Sequence, residues 1–377
     1  MAIIRHVVRS WTGIRLMASR LRSLLRGMAA AVMLVGALCP RGGHAASFPN
    51  LYRVSVAPDA SVPDQRGAAI KAAMARLLIR VTGDRNAPVD PALQPMISDA
   101  GRYLNSYGLE RQGQAQVGFI ATQVDQALAA LQKPVWGPER PLTLIWIAVD
   151  DGNGSRALLG ANDTPQLGLE PTPPAMTERL AVLRKELLVV ADERGLPVTL
   201  PLLDLQDLNA VTFADVWGGF EDRVAAASAR YRADAILIGR VRPGVVGNEI
   251  EWLLVVGAER QLLGGLGLRD GLDAAGDRFA AQFATLGGGG AAAITVLNVR
   301  SSADYGRVVS YLEQQSALQS VDVDTFDNGV LHLRVTARGD AGVLGRILAL
   351  GGVLKPAAGD RSNGPLVFEL ARSGAGQ

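Results

Sequence analysis

Cysteine, histidine and lysine are scarce in this chain of 377 residues, and each scarcity removes a chemistry. Cys39 is the single cysteine. It lies in an amino-terminal segment with the pattern of an export signal, so the mature chain is expected to have no disulfide, no thiol nucleophile and no thiolate metal site. His6 and His44 fall in the same segment, which leaves His332. A Ser-His-Asp triad or a histidine-rich zinc centre would have to use it. Its surroundings, VLHLRV, alternate as a strand, so it reads as a residue on one sheet face. Lysine occurs only at Lys71, Lys133, Lys185 and Lys355, so arginine carries the positive charge.

The first 46 residues also lack Asp and Glu, while holding Arg5, Arg9, Arg15, Arg20, Arg22, Arg26 and Arg41. Their apolar run, Gly27 to Cys39, is shorter than the about 20 residues that span a bilayer. With the small residues of GHAAS after it, the pattern is that of a signal peptide cut after Ala45 or Ala46. Met17 is an alternative start, and an uncleaved anchor is an alternative fate. Leu38 before Cys39 argues against a lipoprotein acceptor. Loss of these seven arginines takes the formal charge from +2 to −5. An acidic exported chain has no basic face for phosphates, so nucleic acid is excluded as a partner.

What is present reads as alternating strands and helices. LYRVSVAP is a period-two strand with Tyr52, Val54 and Val56 on one face, and Asp64 caps a helix carrying Ile70, Met74, Leu77 and Val81 up to Gly83. A second helix is expected from Asp90-Pro91, through Leu93, Ile97, Ala100 and Leu104, then a strand in QAQVGFIAT and a helix in VDQALAALQ. PLTLIWIAVDD reads as a strand buried on both faces. The helix TERLAVLRKELLVVADERG, the strand LPVTLPLL, the helix FEDRVAAASARYR and the strand ADAILIGRV follow, the pattern of parallel βαβ units. NEIEWLLVVG, with Ile250, Trp252, Leu254 and Val256 on one face, pairs with RQLLGGLGL as an edge hairpin, and RDGLDAAGDRFAAQFATL is a closing helix. After four glycines come ITVLNV, a helix capped at Ser302, two strands joined at Asp327-Asn328-Gly329, a helix capped by Asp340, and PLVFEL.

The expected fold class is therefore α/β and α+β, in several domains. Residues 1–46 are the signal peptide and 47–138 a small α+β domain. Residues 139–286 form an α/β domain, a central parallel-type βαβ sheet with an antiparallel edge hairpin. A Gly/Ala linker, 287–293, leads to a ferredoxin-like βαββαβ domain, 294–377.

Four stretches carry a family resemblance: LYRVSVAPD with the helix ending RVTGD; KPVWGPERPLTLIWIAVDD; RGLPVTLPLLDLQD; and VWGGFEDRVAAASARYRADAILIGRV with IEWLLVVG. Over roughly 51–286 the chain resembles the exported bacterial family known as domain of unknown function 2066. The resemblance implies an envelope location in a Gram-negative bacterium and carries no catalytic residue to transfer.

Ligands of open α/β sheets bind at the carboxyl ends of the strands. There the sequence places Asp150 and Asp151 after one strand and Asp204 and Asp207 after another, with Trp217 in the loop beyond. Such a cluster suits a cation or a polar ligand, and two close carboxylates suit general acid–base work. Ordinary turn and cap roles fit the same residues. DDGNGSRALLGAND lacks the third glycine of a dinucleotide loop and the register of a calcium loop, so it reads as a flexible surface loop. RVTGD reads as a helix end, where the dipole repels anions. Trp136 and Trp146, among apolar neighbours, read as core or domain-seam residues. No catalytic residue, metal site or cofactor is expected. The preferred expectation is a non-enzymatic binding or scaffold module of the periplasm or envelope, with other envelope proteins as partners. A receptor for a small polar ligand or cation, and a carboxylate-dependent hydrolase of an envelope polymer, are the alternatives.

Overall fold

Alternation in LYRVSVAP forms strand β1, Arg53–Val56, which buries Val54 and Val56. Asp64 caps helix α1, Gln65–Thr82, by accepting from the Gly67 N–H at 2.8 Å, and Ile70, Met74, Leu77 and Val81 form its buried face. Gly83 ends the helix at φ 74°, in the left-handed region that a Cβ resists. The helix expected from Asp90 to Leu104 is broken. Two 3-10 turns, Ala87–Val89 and Ala100–Tyr103, flank a five-residue helix α2, Gln94–Ser98, because Pro95 has no N–H for the preceding turn. Leu104 instead opens strand β2, Leu104–Leu109, whose side chains are half-buried or exposed. Strand β3, Ala115–Phe119, lies between β1 and β2 in an antiparallel sheet, and helix α3, Ala121–Ala130, follows.

The computed structural model describes residues 48–110, 113–162, 172–244, 247–263, 267–286, 289–357 and 366–372. The expected signal peptide, with Cys39, lies outside them.

The central sheet is built on β4, Thr143–Asp150, buried on both faces. Its order is β5-β4-β7-β8-β9, from β5 (Arg156–Leu158), β7 (Ala235–Pro243), β8 (Asn248–Val256) and β9 (Glu259–Leu263). β4 and β7 are parallel, and β8 and β9 form the expected antiparallel hairpin. Only Val198–Thr199 of LPVTLPLL is a strand, β6, parallel to the start of β4. Ile145, Ile147 and Val149 face helices α4, Pro174–Arg194, and α8, Leu268–Phe283. Leu144, Trp146 and Ala148 face a second apolar cluster with Val211, Val216 and Val224, from the segment holding α5 (Leu205–Ala210), α6 (Phe213–Gly218) and α7 (Glu221–Ser228). Ile250, Trp252 and Leu254 share one face, as expected. The Trp252 ring is fully buried between Gly239 and Gly271, where any Cβ would come within 2.6 and 2.5 Å of it.

In the last block, β10 runs Gly289–Leu297, so residues 289–293 of the expected linker are strand, paired with Ala337 and its neighbours on β12. Helix α9, Ser302–Glu313, is capped by Ser301 rather than Ser302. β11, Leu318–Asp327, turns at Asn328-Gly329 into β12, Val330–Arg338. Helix α10, Ala341–Ala349, is capped by Asp340, and β13, Leu354–Pro356, unforeseen in the sequence, precedes β14, Leu366–Leu370. The strand order is β11-β12-β10-β14-β13, with β10 and β14 parallel. His332 stands on the exposed sheet face opposite Thr295, as its alternating context predicts.

The ten helices and three sheets of the described residues make a mixed α/β and α+β molecule. One apolar cluster runs from Trp136 through the central sheet into the last block, and the described residues fall in one compact unit. Among them no helix is long and apolar enough to cross a membrane.

Candidate functional site

The four expected aspartates fall into two separately bonded pairs. β6 pairs with Thr143 and Leu144 at the amino end of β4, and Asp150 closes its carboxyl end. Beside the carboxyl half of β4 runs β5, with Arg156 opposite Asp150. DDGNGS is accordingly a hairpin turn rather than a flexible loop. Asp150 accepts from the Gly152 N–H and the Arg156 Nε, each at 2.8 Å, and Asp151 from Asn153 and Ser155. These bonds lower both carboxyl pKa values, the Gly152 N–H acting most on Asp150 and the Asn153 N–H on Asp151. Trp217 stacks on Phe213 at 5.3 Å, and the Arg156 guanidinium lies 5.7 Å from that Phe213 ring.

Asp204 and Asp207 do meet, around Arg230. Asp204 caps α5, and its two oxygens take both ends of the Arg230 fork, at 2.7 and 2.8 Å. That fork holds its carboxyl at about 2. Asp207, buried, accepts from Arg230, from the Leu203 N–H and from the Tyr231 hydroxyl, at 2.9, 2.9 and 2.5 Å. Burial, then the bond to Asp207, pushes Tyr231 up to about 12. Every one of the four predicted aspartates is thus already paired. Among the described residues no group of three or more His, Cys, Asp or Glu is placed to hold a metal.

Three other motifs do converge. RVTGD, VWGPER and RGLP meet in a seam of buried arginines. Arg140, 0 % exposed, gives all its bonds to carbonyls: Gly137, Trp136 and Arg80 at 2.8 Å, Gly195 at 2.9 Å and Arg194 at 3.3 Å. Its guanidinium lies 3.9 Å from the Trp136 ring centre. It thereby caps the negative ends of α1 and α4 together. Burial, then repulsion from Arg80, drives its pKa well down, yet arginine starts so high that it stays charged. Arg80 reaches the Arg53 carbonyl and Asp192, at 2.9 and 2.8 Å, so its own helix end is served by Arg140 and by the Trp136 N–H on Val81. Arg194 bonds the Gly83 carbonyl at 3.0 Å and Asp277 at 2.6 Å. Trp136 is the seam residue its apolar setting predicts.

Beside this seam lies a pocket of about 260 Å³ with mainly apolar walls. Asp125, Gln126 and Ala129 of α3 line one side, Val135 and Glu139 its floor, Phe283 and Thr285 the end of α8, and Ala317, Arg338 and Ile347 the last block. Val135 and Thr285 exchange backbone bonds of 2.8 and 2.9 Å across it. Both Glu139 oxygens are taken by Ser316, through its N–H at 2.7 Å and its hydroxyl at 2.6 Å. Asp125 accepts from the Tyr52 hydroxyl at 2.5 Å and faces Arg338 at 3.5 Å. Burial raises the Asp125 carboxyl, against the lowering pull of Tyr52 and Arg338, and burial with the Asp125 charge raises Tyr52. None of these pocket residues stood out in the sequence, because they come from six separate segments with no common spacing. The arginines carried a faint signal, Arg140 before Pro141, Arg194 before Gly195 and Arg80 three residues before Gly83, each in a distinctive motif.

Residues 45–137 match a family described as Domain of unknown function (DUF8605), under half of the chain. That family is not the domain of unknown function 2066 that the motifs resemble. No curated protein and no solved structure matches the chain. Through residues 45–137 the chain is similar to an uncharacterised domain, the one that supplies Arg80, Trp136 and the α3 side of the pocket.

Proposed function

We propose that the chain is an exported, non-enzymatic binding module of the cell envelope, acting in the periplasm, with its ligand in the pocket that the three blocks share. The pocket itself carries the reading. It is mainly apolar, lies where separate blocks join, and carries, beside a Glu139 filled by Ser316, the Asp125 carboxylate raised by burial, the setting in which small-molecule sites concentrate. Export rests on the acid-free, arginine-rich residues 1–46 and their apolar run. A ferredoxin-like last block is supported by the order β11-β12-β10-β14 with a helix after the first and third strands. Such a fold specifies no function, so the site has to. Against the cation receptor and the hydrolase stand the partners these aspartates already have: Arg230 is shared by Asp204 and Asp207, Arg156 pairs with Asp150, and Asp151 accepts from the Asn153 and Ser155 N–H groups.

Thermal melting of the chain from Ser47 onward, against a panel of small apolar and amphiphilic molecules, tests this. A ligand at about 100 times its Kd adds about 2.7 kcal/mol. The expected hit disappears in Ala129→Trp, which fills the pocket from its rim, and survives in Asp204→Asn. The opposite pattern would move the site to Asp204 and overturn the reading.

A further inference from the structure

We infer that the pocket's ligand is a small zwitterion with an apolar side chain, an α-amino acid of the leucine or phenylalanine kind. Its ammonium is held by Asp125 and its carboxylate by Arg338. The inference rests on the pocket being the binding site and concerns what enters it.

The polar groups on the wall are unequal. Glu139 has both oxygens filled by Ser316, so it recognises nothing further. Asp125 has one oxygen filled by Tyr52, while the other stands 3.5 Å from Arg338, beyond the about 2.7–2.9 Å of a formed charge-assisted bond. The Arg338 side chain is 49 % exposed, and among the described residues that long contact is its one ion pair. An opposite pair that is in place and not closed is matched by a molecule carrying both charges. A lone cation would satisfy Asp125 and face Arg338 unpaired, and a lone anion the reverse. A carboxylate also accepts both arms of the guanidinium fork. Away from the pair the wall mixes Gln126, Thr285 and Gln319 with Ala129, Val135, Phe283, Ala317 and Ile347, and its mainly apolar surface fits a hydrocarbon side chain. The volume, about 260 Å³, exceeds the roughly 150 Å³ that admits benzene and suits leucine or phenylalanine.

Isothermal titration of the chain from Ser47 onward decides it, with L-leucine and L-phenylalanine beside isoamylamine and isocaproate, which keep the leucine side chain and one charge each. The amino acids are expected to bind at least about tenfold more tightly than either analogue. Arg338→Gln should erase the preference over the amine, and Asp125→Asn the preference over the acid. Should Asp125→Asn not fold, Arg338→Gln and the analogues decide alone. An analogue that binds as tightly as leucine, and is lost in Ala129→Trp, overturns the zwitterion and leaves the pocket reading standing. Absence of binding by all four up to about 10 mM overturns the zwitterion as well. A flat wider panel would then count against the pocket itself.

Discussion

Arg140 shows how one residue holds distant segments together. Its charge is compensated by carbonyl dipoles, including those at the carboxyl ends of α1 and α4. Removing it strips a partner from five carbonyl oxygens at once, four of them in buried bonds, and that desolvation loss outweighs the gain from no longer burying a charge. Arg140→Met should therefore destabilise the chain by about 3–5 kcal/mol in urea unfolding. Arg140→Lys should recover little, because an ammonium cannot reproduce the planar fork. Charge at Asp204 works in the opposite setting, at the surface. Its folded pKa, about 2, lies below the ordinary 3.8, so its contribution is complete above pH 3.8 and is lost as pH falls towards 2. Stability curves of the protein and of Arg230→Gln should run parallel at neutral pH and converge below pH 4, with the sign opposite to that of Asp125. Burial raises Asp125, so its protonated form favours the fold and stability from that group declines as pH rises past 3.8.

Caps and periods made some elements readable and left others hidden. Asp64, Gly83, Asp340 and Asn328-Gly329 sit where they were expected, because each acts on backbone within four residues of itself. Asp64→Ala should cost about 1 kcal/mol in thermal or urea unfolding, since the Gly67 N–H loses its acceptor. β5 and β13 have three residues each and no period to display, while β2 has too little burial for its alternation to show. LPVTLPLL misled for a related reason. Its apolar content reports burial, and burial is met by packing Leu200 against the core without extending the strand past Thr199. The glycines around Trp252 are a tertiary demand on local sequence. Gly271→Ala would put a Cβ 2.5 Å from the indole, inside a helix where alanine is otherwise favoured. It should destabilise by about 1–3 kcal/mol, although propensity alone would have it stabilise.

The whole molecule is held by contacts that cross all three blocks: Arg140 on α1 and α4, Glu139 on Ser316, and Arg346 Nε on the Gln282 carbonyl at 2.9 Å. Gly351 and Leu142 also donate to the same Asp234 carboxylate, at 3.3 and 2.8 Å. One apolar cluster runs through Trp136, the central sheet and the last block, and the first block's own cluster is tied to it by Arg80 and Arg140, so unfolding should be a single transition. Calorimetry should find equal van't Hoff and calorimetric enthalpies; a separate early transition for residues 289–372 would contradict it.

By itself the sequence determined the mixed α/β composition and the capped helices, and it set as expectations the export signal and, with that segment removed, the lack of thiol or clustered-histidine chemistry. Those properties follow from composition or from interactions within a few residues. Tertiary structure alone decided that Asp204 and Asp207 meet on Arg230, that Arg80, Arg140 and Arg194 share a seam, and that six segments line one pocket. Register between strands and the meeting of helix ends depend on long-range packing, and long-range packing leaves no fixed spacing along the chain.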